Sequence, residues 1–122
     1  VLYKTLAEMQ PAEVVEIPYP ADYSLPIAEL VAANPAVIFL ASPNSPSGHV
    51  IDNEALRSLA AQVSGVVVVD EAYVDFADAT ALPLVQEFDN IIVSRTLSKG
   101  YSLAGLRLGF GIAQPSLLSG LF

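Results

Sequence analysis

Three short stretches of this sequence hold residue types that can do chemistry together. The first is Ser94-Arg95-Thr96-Leu97-Ser98-Lys99-Gly100, with Arg107 a few residues beyond. It offers hydroxyls and backbone N–H groups to an anion, with cations close by. No GxxxxGK[ST] phosphate loop is present, so spacing alone weighs an anion site evenly against a solvated turn with a capping serine. The second is Asp70-Glu71-Ala72-Tyr73. An acid ending an apolar run commonly caps the next turn. The alternative is a buried acid facing a cationic ring nitrogen, with the Tyr73 phenol reaching the same ligand. The third is Ser42-Pro43-Asn44-Ser45-Pro46-Ser47-Gly48, a turn rich in proline and hydroxyls.

Each stretch directly follows an apolar run. The runs Ala36–Leu40, Val66–Val69 and Ile91–Val93 are continuous in branched residues, as is Glu13–Ile17. Lack of alternation suits parallel strands covered on both faces. Helical spacing lies between them. Leu25–Ala33 carries Leu25, Ile27, Leu30 and Val31; Asp52–Val63 aligns Leu56, Leu59, Ala60 and Val63 behind an N-capping Asp52. A shorter helix is expected over Ala81–Phe88, and an amphipathic one at the start through Leu2, Leu6 and Met9. The alternation predicts an α/β fold: a doubly wound, mostly parallel sheet with helices on both faces. A last strand, Leu106–Ile112, follows Lys99 too closely for a crossover helix and is expected to run antiparallel. In such sheets ligands bind beyond the carboxyl ends of the strands. Asp70, the Ser42–Gly48 turn and the Ser94–Lys99 run therefore converge on one rim.

Composition narrows the function classes. The chain has 122 residues, 53% hydrophobic and 15% charged, which suits one domain with a buried sheet. The net charge is −8, against nucleic-acid binding. Arg95, Lys99 and Arg107 nevertheless gather in one segment, as if to neutralise an anion. No apolar run approaches the roughly 18 residues of a membrane helix. Without cysteine there is neither a disulfide nor a thiolate metal site. Asp75 and Asp78 read as a solvated acidic loop, and the single histidine, His49, as a surface loop residue. Both ends fall in apolar or amphipathic segments, so the single domain (1–122) is expected to be an incomplete fragment.

Together the three stretches resemble motifs of the fold-type I, class I/II aminotransferases dependent on pyridoxal 5′-phosphate (PLP), most closely the histidinol-phosphate branch. Ser42–Gly48 is similar to the family's NPNNPTG loop, and Asp70-Glu71-Ala72-Tyr73-Val74-Asp75-Phe76 to its DEAYxxF stretch. Arg95–Lys99 with Leu103-Ala104-Gly105-Leu106-Arg107-Leu108-Gly109-Phe110 is similar to RTLSK…LAGLRxGF. The resemblance spans essentially the whole chain and implies part of the PLP-binding large domain. It implies that Lys99 forms the Schiff base with PLP and then moves the substrate proton, a role that calls for desolvation and neighbouring cations. It implies Asp70 at the pyridine nitrogen, Tyr73 at the ring's O3′ oxygen, and Thr96, Ser98 and Arg107 at the phosphate. Arg95 is typical of the branch and receives no cofactor contact. The family asparagine at O3′ stands before the second loop proline; here that residue is Ser45, with Asn44 one position earlier to substitute.

The expected activity is transfer of an amino group between L-histidinol phosphate and 2-oxoglutarate in histidine biosynthesis, in the cytoplasm, as a homodimer. Expected partners are a small phosphorylated amine and a 2-oxo acid, with no nucleic acid, membrane or metal. Aspartate or aromatic aminotransferases and threonine-phosphate decarboxylases share the key residues and stay open, as does an inert structural fragment. A generic nucleotide-binding module has little weight, because GxGxxG is missing after the first strand.

Overall fold

The computed structural model describes residues 2–120. Its centre is a four-stranded sheet, β1 (Val37–Ala41), β2 (Val66–Asp70), β3 (Ile91–Thr96) and β4 (Gly109–Ile112), adjacent in chain order. The first three strands are parallel, and β4 returns antiparallel beside β3. The close return after Lys99 leaves no length for a crossover helix, so antiparallel pairing is the geometry open to it. The helices are α1 (Leu2–Glu8), α2 (Ile27–Ala33), α3 (Asn53–Gln62) and α4 (Pro115–Leu118).

Helix α3 starts after Asp52, which holds the extended cap conformation without a side-chain cap bond. Its stripe buries Leu56, Leu59 and Ala60. The chain then enters β2 through Gly65, where a Cβ would lie 2.2 Å from the Pro35 carbonyl oxygen, so only glycine lets the two segments pass. Helix α2 stops at Asn34, in the left-handed region (φ 43°), whose N–H bonds back to Val31. The core forms on one side of the sheet. Ile38, Leu40, Val67, Val69, Ile91 and Val93 meet Leu30, Leu56, Leu59, Leu84 and Val85 there.

The α/β class and the antiparallel sense of the last strand agree with the sequence reading, but the strand is Gly109–Ile112 and not Leu106–Ile112, because Ala104–Leu106 form a 3₁₀ turn. Three further details differ. Glu13–Ile17 is not a strand: these residues have no regular secondary structure, and Val15 is exposed. A strand needs a partner, and none pairs with this segment among the described residues. Ala81–Phe88 forms a short 3₁₀ turn, Leu82–Gln86, with Pro83 in its first turn, where proline is tolerated. The sheet faces are covered unequally. The strands alternate buried and open positions instead of being buried throughout. Helix α1 lies on the second face, where Tyr3 stacks on Phe39 at 4.9 Å between ring centroids.

Candidate functional site

The rim begins where backbone pairing ends. Ser42 N–H donates to the Asp70 carbonyl (2.9 Å) and Glu71 N–H to the Ser94 carbonyl (2.8 Å). These bonds bring the ends of β1 and β2 level with Ser94, with Ala41, Asp70 and Ser94 in register, while β3 runs two residues further, to Thr96, on its pairing with β4. Side chains alternate across a strand. Asp70, Ser94 and Thr96 therefore share the second face with Phe39 and Val68, while Glu71 and Arg95 turn toward the core side.

Asp70 is partly buried. One of its oxygens accepts the Ala72 N–H (3.0 Å) and the other accepts the Tyr3 hydroxyl. Burial, then the bond and charge of Asp70, push the Tyr3 phenol well above its ordinary value. Tyr3 therefore stays a neutral donor toward this acid. Three residues on, the Tyr73 ring lies beneath the Lys99 ammonium, 5.2 Å from Nζ to centroid. Lys99 is exposed. Among the described residues no carboxylate pairs with it. The enclosure that a desolvated lysine needs is not supplied by these residues.

Thr96 and Ser98 form a hydroxyl pair: Thr96 Oγ1 donates to Ser98 Oγ (2.9 Å), and Ser98 N–H donates to Thr96 Oγ1 (3.1 Å). The loop after them closes through Leu97 N–H to the Leu108 carbonyl (3.2 Å). Arg107 thus leaves the loop beside the point where Ser98 and Lys99 enter it. Its backbone is left-handed (φ 54°), and its guanidinium donates to the Ala104 carbonyl at 3.3 Å.

Asn44 lies on the neighbouring turn. Its side-chain amide donates to Ser47 Oγ (2.8 Å), and its carbonyl accepts the Gly48 N–H (2.7 Å). Gly48, at φ +73°, turns the chain where other residues are strained. Between this turn and Tyr73–Ala77 runs an open cleft of about 330 Å³, lined by Asn44, Ser45, Tyr73 and Phe76 among others. Lys99 is not among its lining residues, so the cleft adjoins the lysine without enclosing it.

One sequence expectation changes here. The cations at 95, 99 and 107 do not form a single patch. Arg95 pairs inward with Glu71 (2.8 Å), leaving Lys99 and Arg107 to face outward. Tyr3 and Glu71 are the residues that motif reading overlooked. For Glu71 the signal was parity: it and Arg95 sit one position off the Asp70 and Thr96 face. For Tyr3 no local signal exists, because its partner is distant in sequence.

The family model for class I and II aminotransferases matches residues 1–121. The chain belongs to this family. It is 65% identical over its whole length to histidinol-phosphate aminotransferase 1 of Trichormus variabilis, of which it covers 35%. It thus spans about a third of that relative's length. The fold is similar to histidinol-phosphate aminotransferase of Sinorhizobium meliloti in complex with pyridoxal-5′-phosphate: TM-score 0.77 and 31% identity, covering 90% of this chain and 32% of that one. It is also similar to L-threonine-O-3-phosphate decarboxylase of Porphyromonas gingivalis: TM-score 0.80 and 25% identity, covering 96% and 37%. Family membership accounts for the order of the three rim motifs along the chain. Among the described residues, no helix is long and apolar enough to cross a membrane, and no group of three metal-binding side chains occurs.

Proposed function

We propose that this chain carries the lysine face of the active site of a PLP-dependent aminotransferase acting on L-histidinol phosphate and 2-oxoglutarate. The convergence of Asp70, Lys99 and the Thr96–Ser98–Arg107 set on one rim carries this reading. The relative at 65% identity supports the choice of branch. The donor set fits the cofactor: an acid for a cationic ring nitrogen, a primary amine for an aldehyde, and hydroxyls with a guanidinium for a phosphate. When bound, PLP supplies an aldehyde carbon and a protonated ring that draws electrons from the substrate's Cα.

The residues then have separate duties. Asp70 keeps the ring nitrogen protonated. Lys99 would hold the cofactor's aldehyde carbon through its amine and would move the proton between the substrate's Cα and C4′. Tyr73 donates to O3′, with Asn44 and Ser45 on the same side. Thr96 and Ser98 hold the phosphate through their hydroxyls, and Arg107 grips it with its two-pronged guanidinium. We place the enzyme in the cytoplasm as a homodimer.

Two experiments test the proposal. The full-length protein should form glutamate from L-histidinol phosphate and 2-oxoglutarate. Turnover of aspartate, tyrosine or L-threonine-O-3-phosphate without histidinol phosphate would reject the branch. Borohydride reduction in the presence of PLP, followed by mass spectrometry, should place the pyridoxyl group on Lys99. Labelling spread over Lys4 and Lys99 alike would reject the site.

A further inference from the structure

Among the described residues Glu71 is the one buried charged side chain, 2% exposed. Its carboxylate is fully used. It accepts the Thr80 hydroxyl (2.8 Å), the Ala81 N–H (2.6 Å) and Arg95 Nε (3.0 Å), with Arg95 Nη2 at 2.8 Å. Arg95 Nη2 also donates to Thr80 Oγ1 at 2.9 Å. Both carboxylate oxygens are thus engaged within the protein. The position of this pair in the chain gives it meaning. Glu71 directly follows Asp70, and Arg95 directly precedes Thr96. Strand register between β2 and β3 ends at Asp70↔Ser94, and the last backbone bond is Glu71 N–H to Ser94. Beyond that bond, the Glu71–Arg95 pair ties the two segments that diverge into the rim.

We infer that Glu71 and Arg95 are positioning residues: they fix the spacing between Asp70 on one segment and Thr96–Lys99 on the next. The inference rests on the cofactor reading above. A ring nitrogen at Asp70 and an attachment point at Lys99 belong to one rigid ligand, so their separation must match it. The planar guanidinium suits this task, because its fork holds direction as well as distance. Thr80 and Ala81 buttress the carboxylate from a third segment, so the pair cannot swing as a unit.

The test uses the full-length protein and reads PLP affinity and the pH titration of the bound cofactor's visible band. Glu71→Gln keeps the shape and removes the charge; Arg95→Lys keeps the charge and removes the fork. Each is expected to weaken PLP binding about tenfold, at the lower end of what loss of an outer partner costs at a metal site, and to move the titration midpoint. Leu59→Ala, which weakens the core away from the rim, is expected to lower the melting temperature and leave both readouts unchanged. If both pair variants lose melting temperature yet match the parent in affinity and midpoint, the pair is structural only and the inference falls. Arg95→Lys alone decides if Glu71→Gln does not fold. If the parent itself attaches no PLP at Lys99, the cofactor reading falls first, which separates the two failures.

Discussion

The two faces of one sheet do different work. On the core face Ile38, Leu40, Val67, Val69, Ile91 and Val93 are at most 6% exposed, sealed by α2, α3 and the Leu82–Gln86 turn. On the second face Val37 and Phe39 are nearly half exposed, and Tyr3 of α1 covers part of it. The same strands supply both faces through alternate residues. The closed face carries the packing energy. The second face carries Asp70 and Thr96 at its rim, beside the loop of Ser98 and Lys99. Glu71 and Arg95 are the exception that links the two: charged residues turned into the closed side, next in sequence to Asp70 and Thr96 on the open one.

This contrast is open to attack in order of expected size. Arg95→Ala leaves Glu71 buried without its partner, and loss of one member of a buried pair costs about 3–5 kcal/mol. Urea unfolding should show that loss; a value under about 1 kcal/mol, typical of exposed pairs, would place the pair outside the core. Leu59→Ala on the closed face should cost about 2–5 kcal/mol by the same measurement. Phe39→Ala on the second face should cost less, since a half-exposed ring forfeits mainly its stacking on Tyr3, worth about 0.5–1.5 kcal/mol. Equal costs at Leu59 and Phe39 would erase the contrast between the faces.

The smallest expected effect depends on pH. Burial, aided by Asp70, raises the Tyr3 phenol above its ordinary value of 10.0. The folded state therefore holds that proton more tightly than the unfolded state. The resulting stability is fully present below pH 10 and declines as pH rises beyond it. Tyr3→Phe should flatten the alkaline limb of the stability profile. An identical limb in both proteins would show that Tyr3 is solvated and does not guard Asp70.

Much of the fold was legible from local pattern. The apolar runs before residues 42, 70 and 94 located three strands, and the Leu56–Leu59–Ala60 stripe located α3, because burial and periodicity act within a few residues. The short span after Lys99 announced the antiparallel β4. Glu13–Ile17 was misread because pairing, not composition, makes a strand. At the site, the rim positions of Asp70, Ser98 and Lys99 followed from strand ends; Thr96 was read into the loop but lies in β3, because antiparallel pairing with β4 carries that strand on to Thr96. The isolation of Arg95 from Lys99 and Arg107 did not, because charge counting along the chain is blind to the face on which each charge emerges.

By itself the sequence determined which residue types stand at each strand end, and hence what chemistry the rim offers. Their order and spacing also carried the family resemblance. Only the tertiary structure decided which neighbours they keep: Tyr3 at Asp70, the Tyr73 ring beneath Lys99, and Glu71 joined to Arg95 across two strands. The physical reason is range. Periodicity and turn chemistry are local, whereas a hydrogen bond between residues 3 and 70, or an ion pair between 71 and 95, exists only once the sheet has set its register.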